Sequence, residues 1–414
     1  MSKELNDAVT KENEEFTEVM KRMVDAEKKL KDDARLKIGA IGCGNAGNQS
    51  ICALYNAGIT TNLFAINTSE KDLSDEIVSR NIPAFVAGGE GRGSGKDRAK
   101  AAALFKENGQ EIFTKHRASK DIIHNCDIIV VVFSTGGGTG SYIGPAICGI
   151  LAKMFANSQK LVIAYGITPK LADSAQAHRN SLASIDECRA ANIPILLDDL
   201  SQLEDLPYEK AYEKVGQNFV NYVKCIRGDF SIASKNGMID ENDTLRTIGE
   251  PGYQVHYHLD KLTVEMLEQQ DIQLRLLDEV KKSPSMTVQK DGVVEYMAVF
   301  SSYPTSFDEG VRDGNYSKIT EYVGLPRDIF QNYGEALGTT ADIHVILSGL
   351  TLPYDRILQS KDKVEERENS RKRAGSNVDL HNIMQTLGTD ERTKIQNKRE
   401  ISEEDLNAAL DFFK

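Results

Sequence analysis

Residues Ser134–Ser141 read Ser-Thr-Gly-Gly-Gly-Thr-Gly-Ser and follow directly on an apolar run, Ile128–Phe133. Three successive glycines flanked by hydroxyls let a backbone turn tightly around an anion, because no Cβ blocks the approach and consecutive N–H groups converge. A helical stretch, Tyr142 to Met154, comes next. The loop therefore stands at a helix N-terminus, where the peptide dipoles favour phosphate. A flexible glycine linker is not normally set between a buried strand and a helix.

The same alternation runs from 36 to 199. Strand-like stretches at Leu36–Ile41, Leu63–Ile66, Ile128–Phe133, Leu161–Ile167 and Ile193–Leu197 are separated by helical ones such as Ala46–Asn56. This pattern predicts a parallel sheet with helices on both faces and a ligand at the carboxyl ends of the strands. Tyr208–Ala233 reads as one long helix, striped by Tyr208, Tyr212, Val215, Phe219, Tyr222, Val223, Ile226 and Phe230. At 1.5 Å per residue it would span about 39 Å, enough to cross a domain and join a second.

Strand-like runs at Tyr253–His258, Val293–Phe300 and Ile343–Leu350, with helical stretches Thr263–Lys282 and Phe307–Val323, predict a smaller unit. The first 35 residues carry an amphipathic helical stripe. Tyr354–Arg373 reads as a charged helix, Gly375–Asn377 as a linker, and Leu380–Leu387 and Ser402–Phe413 as short amphipathic segments. The expected fold class is α/β: a parallel Rossmann-like nucleotide-binding sheet, a long central helix, a second smaller α/β domain, and helical N- and C-terminal extensions. The divisions fall at 1–35, 36–207, 208–235, 236–353 and 354–414.

Composition narrows the function. A net charge of −12 argues against a dedicated non-specific nucleic-acid binder. The six cysteines lie singly at 43, 52, 126, 148, 188 and 225 with no CxxC pair, as expected of reduced, buried thiols. The charged N-terminus has no apolar segment of a secretory signal, and no apolar run reaches membrane-spanning length. A cytoplasmic protein is expected.

Gly42–Gly47 fits GxGxxG between a strand and a helix. A dinucleotide enzyme also wants an acidic residue about 20 positions on, at the end of the second strand. Asn67-Thr68-Ser69 stands there instead. Gly88–Asp97 is a third glycine-rich segment; Glu90 and Asp97 break a Walker A pattern, while Arg92 and Lys96 offer charge to phosphate. Three such loops on one sheet suit a mononucleotide.

Together these loops resemble the tubulin/FtsZ superfamily over most of the chain, with Gly136–Ser141 as its signature. The resemblance implies GTP/GDP binding with Mg2+. It assigns the nucleotide to Gly42, Cys43, Gly44, Asn45 and Asn48, to Asn67 and Thr68, to Gly88, Gly89 and Gly91, and to Thr135, Gly136, Gly137, Gly138, Thr139, Gly140 and Ser141. Thr168-Pro169-Lys170 resembles the sugar-binding loop, with Asp173 and Arg179 as ribose candidates, and Asn218 falls where the family contacts guanine. Ser69 stands where FtsZ-like members often carry Asp, so no metal ligand is assigned.

The family completes its GTPase site between subunits of a head-to-tail filament. Asp240 and Asp243 fit the two catalytic acids, on a loop after the central helix in which Met238 replaces the family Asn. The terminal extensions resemble the TubZ type, plasmid or phage proteins that segregate DNA through a DNA-binding adaptor. Arg371–Arg373 or the C-terminal segments would meet such an adaptor. Direct membrane binding is not expected. An FtsZ-like division protein is the alternative, and a bacterial or phage-infected cell the expected setting.

Overall fold

The computed structural model describes residues 36–74, 76–88, 91–228, 234–236, 241–269, 272–288, 292–304, 317–335 and 339–377. The N-terminal extension, Gly89, Met238, Asp240 and the tail beyond 377 lie outside these residues.

The strands are β1 (Ile38–Cys43), β2 (Leu63–Asn67), β3 (Ala84–Val86), β4 (Ile128–Ser134), β5 (Leu161–Thr168), β6 (Pro194–Asp199), β7 (Ser234–Asn236), β8 (Gly252–Thr263), β9 (Tyr296–Tyr303), β10 (Asp328–Glu335) and β11 (Thr340–Leu350). Helices of nine residues or more are α1 (Gly44–Asn56), α2 (Arg98–Asn108), α3 (Arg117–Asn125), α4 (Thr139–Met154), α5 (Ala175–Ala190), α6 (Tyr208–Arg227), α7 (Glu241–Gly249), α8 (Ile272–Lys282) and α9 (Tyr354–Asn377).

All strands belong to one 11-stranded sheet in the order β3-β2-β1-β4-β5-β6-β8-β11-β9-β10-β7. Its first half is parallel throughout. The apolar run of β4 follows from its central place. Ile129, Val131 and Phe133 join the core under α4, while Ile128, Val130 and Val132 join the core under α1 and α6. A strand buried on both faces needs no polar alternation.

Register then sets the site. Cys43 pairs with Ile66 and with Phe133, and Ser134 pairs with Ile167, so the loops after β1, β2 and β4 leave the sheet at one level.

Two expectations are corrected. The long helix stops at Arg227, about 30 Å long, because Gly228 takes a left-handed φ of 71° and its N–H returns to the Cys225 and Lys224 carbonyls. The expected Gly375–Asn377 linker is the last turn of α9. The strands of the second unit extend the first sheet, with β8 parallel to β6.

The start of α9 is fastened to the nucleotide-binding half. The buried Arg356 guanidinium donates to both Asp199 carboxylate oxygens (2.7 and 3.0 Å), to the Pro169 carbonyl (2.8 Å) and to Ser360 Oγ (2.7 Å).

Candidate nucleotide-binding site

A cleft of about 1290 Å³ opens at the carboxyl ends of β1, β2 and β4 and is closed on one side by α6. Its phosphate-like end is built from the loops. β1 passes into α1 at Gly44, whose φ of 73° is left-handed; a Cβ there would sit 3.0 Å from the Gly140 amide nitrogen. A Cβ on Gly138 would lie 2.3 Å from Ser94 Oγ and 2.9 Å from Lys96 Cα. These close approaches between backbones explain why glycine is required.

Hydroxyls join the loops. Thr139 Oγ1 shares a 2.6 Å hydrogen bond with Thr68 Oγ1 and a 3.2 Å one with Ser94 Oγ, so the loop after β2, the Gly88–Asp97 segment and the signature loop meet at one atom. Thr139 is also the first residue of α4, and the helix dipole adds positive potential where the loop N–H groups gather. Asn67 Oδ1 accepts from the Thr68 and Ser69 amides, while its buried Nδ2 has no partner. An orphaned buried donor in the wall of a cleft fits an anionic ligand.

Asn180 on α5, which the sequence reading did not single out, holds the signature loop. Its Nδ2 donates to the carbonyls of Gly137 (2.8 Å), Lys96 (3.1 Å) and Gly136 (3.3 Å). These bonds engage the loop's acceptors from behind. Thr135 and Ser141 also act as braces: Thr135 Oγ1 bonds to Ser181 and the Ile167 carbonyl, and Ser141 Oγ donates to the Gly137 carbonyl. Arg92 and Lys96 line the cleft as expected. Lys96 does so with a left-handed φ of 63°, a conformation that costs a lysine free energy.

At the other end α6 presents Tyr208, Glu209, Tyr212, Glu213, Gly216 and Gln217. The Tyr208 and Tyr212 rings are 6.2 Å apart and nearly parallel. Tyr208 donates to Asp173 Oδ1 (2.6 Å), and Lys170 Nζ lies 4.9 Å over its ring.

Of the residues expected to contact nucleotide, Cys43, Gly44, Asn45, Asn67, Thr68, Gly137, Gly138, Thr139 and Gly140 line the cleft. Gly42, Asn48, Gly88, Gly91, Thr135, Gly136 and Ser141 are not among the lining residues. Asn48 Nδ2 donates to the Ile66 carbonyl.

Three placements depart from expectation. Asn218 lies on the buried side of α6, its amide donating to Asp198 Oδ1 (2.8 Å), Tyr165 Oη (3.2 Å) and Ser285 Oγ (3.3 Å). The helix phase turns it from the cleft, which its neighbour Gln217 faces. Arg179 pairs with Glu368 of α9 on the exterior. Asp243, expected on a loop, is in the first turn of α7 and away from the cleft-lining surface.

Buried Asp198 is pushed up to about 7 by desolvation, which outweighs its bonds from Tyr165, Asn218 and Ser285.

Residues 37–199 match the model of the "Tubulin/FtsZ family, GTPase domain". The "Tubulin-like protein TubZ" of Clostridium botulinum C phage is 24% identical over 377 residues, 87% of this chain and 91% of that protein. The "Cell division protein FtsZ" of Haloferax mediterranei is 25% identical over 226 residues, 53% of this chain and 56% of its own length. The structure of CetZ2 from Haloferax volcanii, a GTPγS-bound protofilament, superposes with a TM-score of 0.66 at 17% identity, covering 80% of this chain and 100% of that one. No helix among the described residues is long and apolar enough to cross a membrane. What residues 37–199 are similar to, on this match and on the geometry of the cleft, is the GTPase domain of the tubulin/FtsZ family.

Proposed function

We propose that this chain binds GTP in the cleft and hydrolyses it when subunits assemble head to tail into a filament that segregates plasmid or phage DNA. The observation that carries the reading is the meeting of Thr68, Ser94 and Thr139 hydroxyls at the N-terminus of α4, a cradle for phosphates. Guanine then lies against Tyr208 and Tyr212, with Asp173 and Lys170 fixing the Tyr208 ring. The oxygen donors Thr68, Thr139 and Asp72 line the cleft and suit a hard cation such as Mg2+, which would neutralise phosphate charge.

Hydrolysis needs a water in line with the terminal phosphate and a carboxylate to orient it. Asp243 stands outside its own subunit's cleft, as a group supplied to the next subunit must. Asp240 is proposed as its companion. The protofilament neighbour supports self-association. The TubZ likeness along most of the chain and the long charged α9, ending near exposed Arg371 and Lys372, support segregation through a DNA-binding adaptor. The FtsZ likeness supports division as the second reading.

Pelleting with GTP and with GDP, alongside phosphate release, tests the chemistry. Asp243→Ala filaments should still pellet with GTP while turnover falls about a hundredfold or more. Wild-type turnover in Asp243→Ala would overturn the assignment.

A further inference from the structure

On the sheet face that shares a core with α6, the strands β9 and β11 present apolar residues, among them Ala298, Phe300 and Ile346. One seam of that face is polar. His256 on β8 and His344 on β11 are buried there, with His256 Nε2 3.0 Å from His344 Nδ1. Cys225, in the last turn of α6, is also buried, and the three potential ligand atoms lie within 4.8 Å of one another. His258 stacks on His344 at 4.1 Å, with its Nε2 3.1 Å from Asp342 Oδ1. His256 Nδ1 is buried without a hydrogen-bond partner.

Burying imidazoles costs free energy unless their polar atoms are served. Apolar residues at these positions would continue the core without that cost. Bond lengths of about 2.0–2.3 Å around a tetrahedral ion put its nitrogen and sulfur donors about 3.3–3.7 Å apart, so the observed cluster needs only side-chain adjustment to close on one.

We propose that Cys225, His256 and His344 form a buried site for a divalent transition ion of the zinc class, fastening the end of α6 to β8 and β11. A thiolate with two imidazoles favours such an ion over Mg2+ or Ca2+. Loading forms one metal–sulfur and two metal–nitrogen bonds. The Cys225 thiol loses its proton to solvent, and the proton held between the two rings moves to the far nitrogen of the ring that carries it. Nothing is oxidised or reduced. The stacked His258, anchored by Asp342, steadies the His344 ring, as outer partners commonly steady ligating histidines. None of the three ligands lines the nucleotide cleft, so the site is distinct from it.

The test is titration of the nucleotide-free, chelator-stripped full chain with Co2+ under argon. A thiolate-to-cobalt charge-transfer band and tetrahedral ligand-field bands should saturate at one ion per chain and disappear when Zn2+ is added. Cys225→Ala should abolish the charge-transfer band, and His344→Gln should weaken Co2+ binding at least about tenfold. X-ray absorption of the Zn2+-loaded wild type, which depends on no variant, should give one sulfur and two imidazole nitrogens in the first shell. No stoichiometric band, a band that survives in Cys225→Ala (the other five cysteines are buried too), or a first shell lacking sulfur would overturn the proposal.

Discussion

Thr139 joins three loops through one hydroxyl, so its removal should be felt at the nucleotide before it is felt in the fold. Thr139→Val keeps the volume but leaves Thr68 and Ser94 without their shared partner. GTP affinity should fall about tenfold, near 1.4 kcal/mol, and Thr139→Ser should restore most of it in a fluorescent-nucleotide titration. Asp198 carries a pH dependence of definite sign. Its folded pKa, about 7, lies above the ordinary 3.8, so the folded state holds an extra proton between these values. The stability this gives is fully present below pH about 4 and is lost as pH rises through about 7. Thermal midpoints across that range should decline in the wild type, and Asp198→Asn should flatten the decline; equal slopes would contradict it. The motif residues Gly138 and Thr139 were legible because only small or hydroxyl side chains suit an anion-binding turn. Asn180 was not, because a single Asn on a helix carries no spacing signal. Asn218 was misplaced because counting along a helix ignores that adjacent residues point about 100° apart.

At the level of elements, apolar runs told the truth wherever burial was two-sided, as in β4. β10, with the sequence DIFQNYGE, and the three-residue β3 were hidden because a mixed or very short strand lacks a periodic signal. The stop of α6 was legible in principle from Gly228, a C′ glycine of ordinary kind. The fastening of α9 was not, since Arg356 and Asp199 are far apart in sequence. Removing one partner of a buried ion pair leaves the other charge uncompensated. With Asp199 fully buried, Arg356→Ala should lower stability by about 3–5 kcal/mol, read from denaturant unfolding. A loss below about 1 kcal/mol would mean that α9 is not held by this pair.

For the whole molecule, the parallel α/β half was readable from strand–helix alternation. The continuity of the sheet was not, because β6 and β8 pair across more than 50 intervening residues with no local mark of it. One continuous sheet carries the cleft at the carboxyl ends of its parallel strands, with α6 closing one side of it. The central claim is that GTP is hydrolysed at contacts between subunits. Its most direct test is GTP turnover per subunit measured over a wide range of protein concentration, with light scattering recorded in parallel. Turnover should stay near zero below a threshold concentration and rise steeply where scattering begins. A turnover per subunit that is constant across the range would contradict the account, for the active site would then be complete in a single chain.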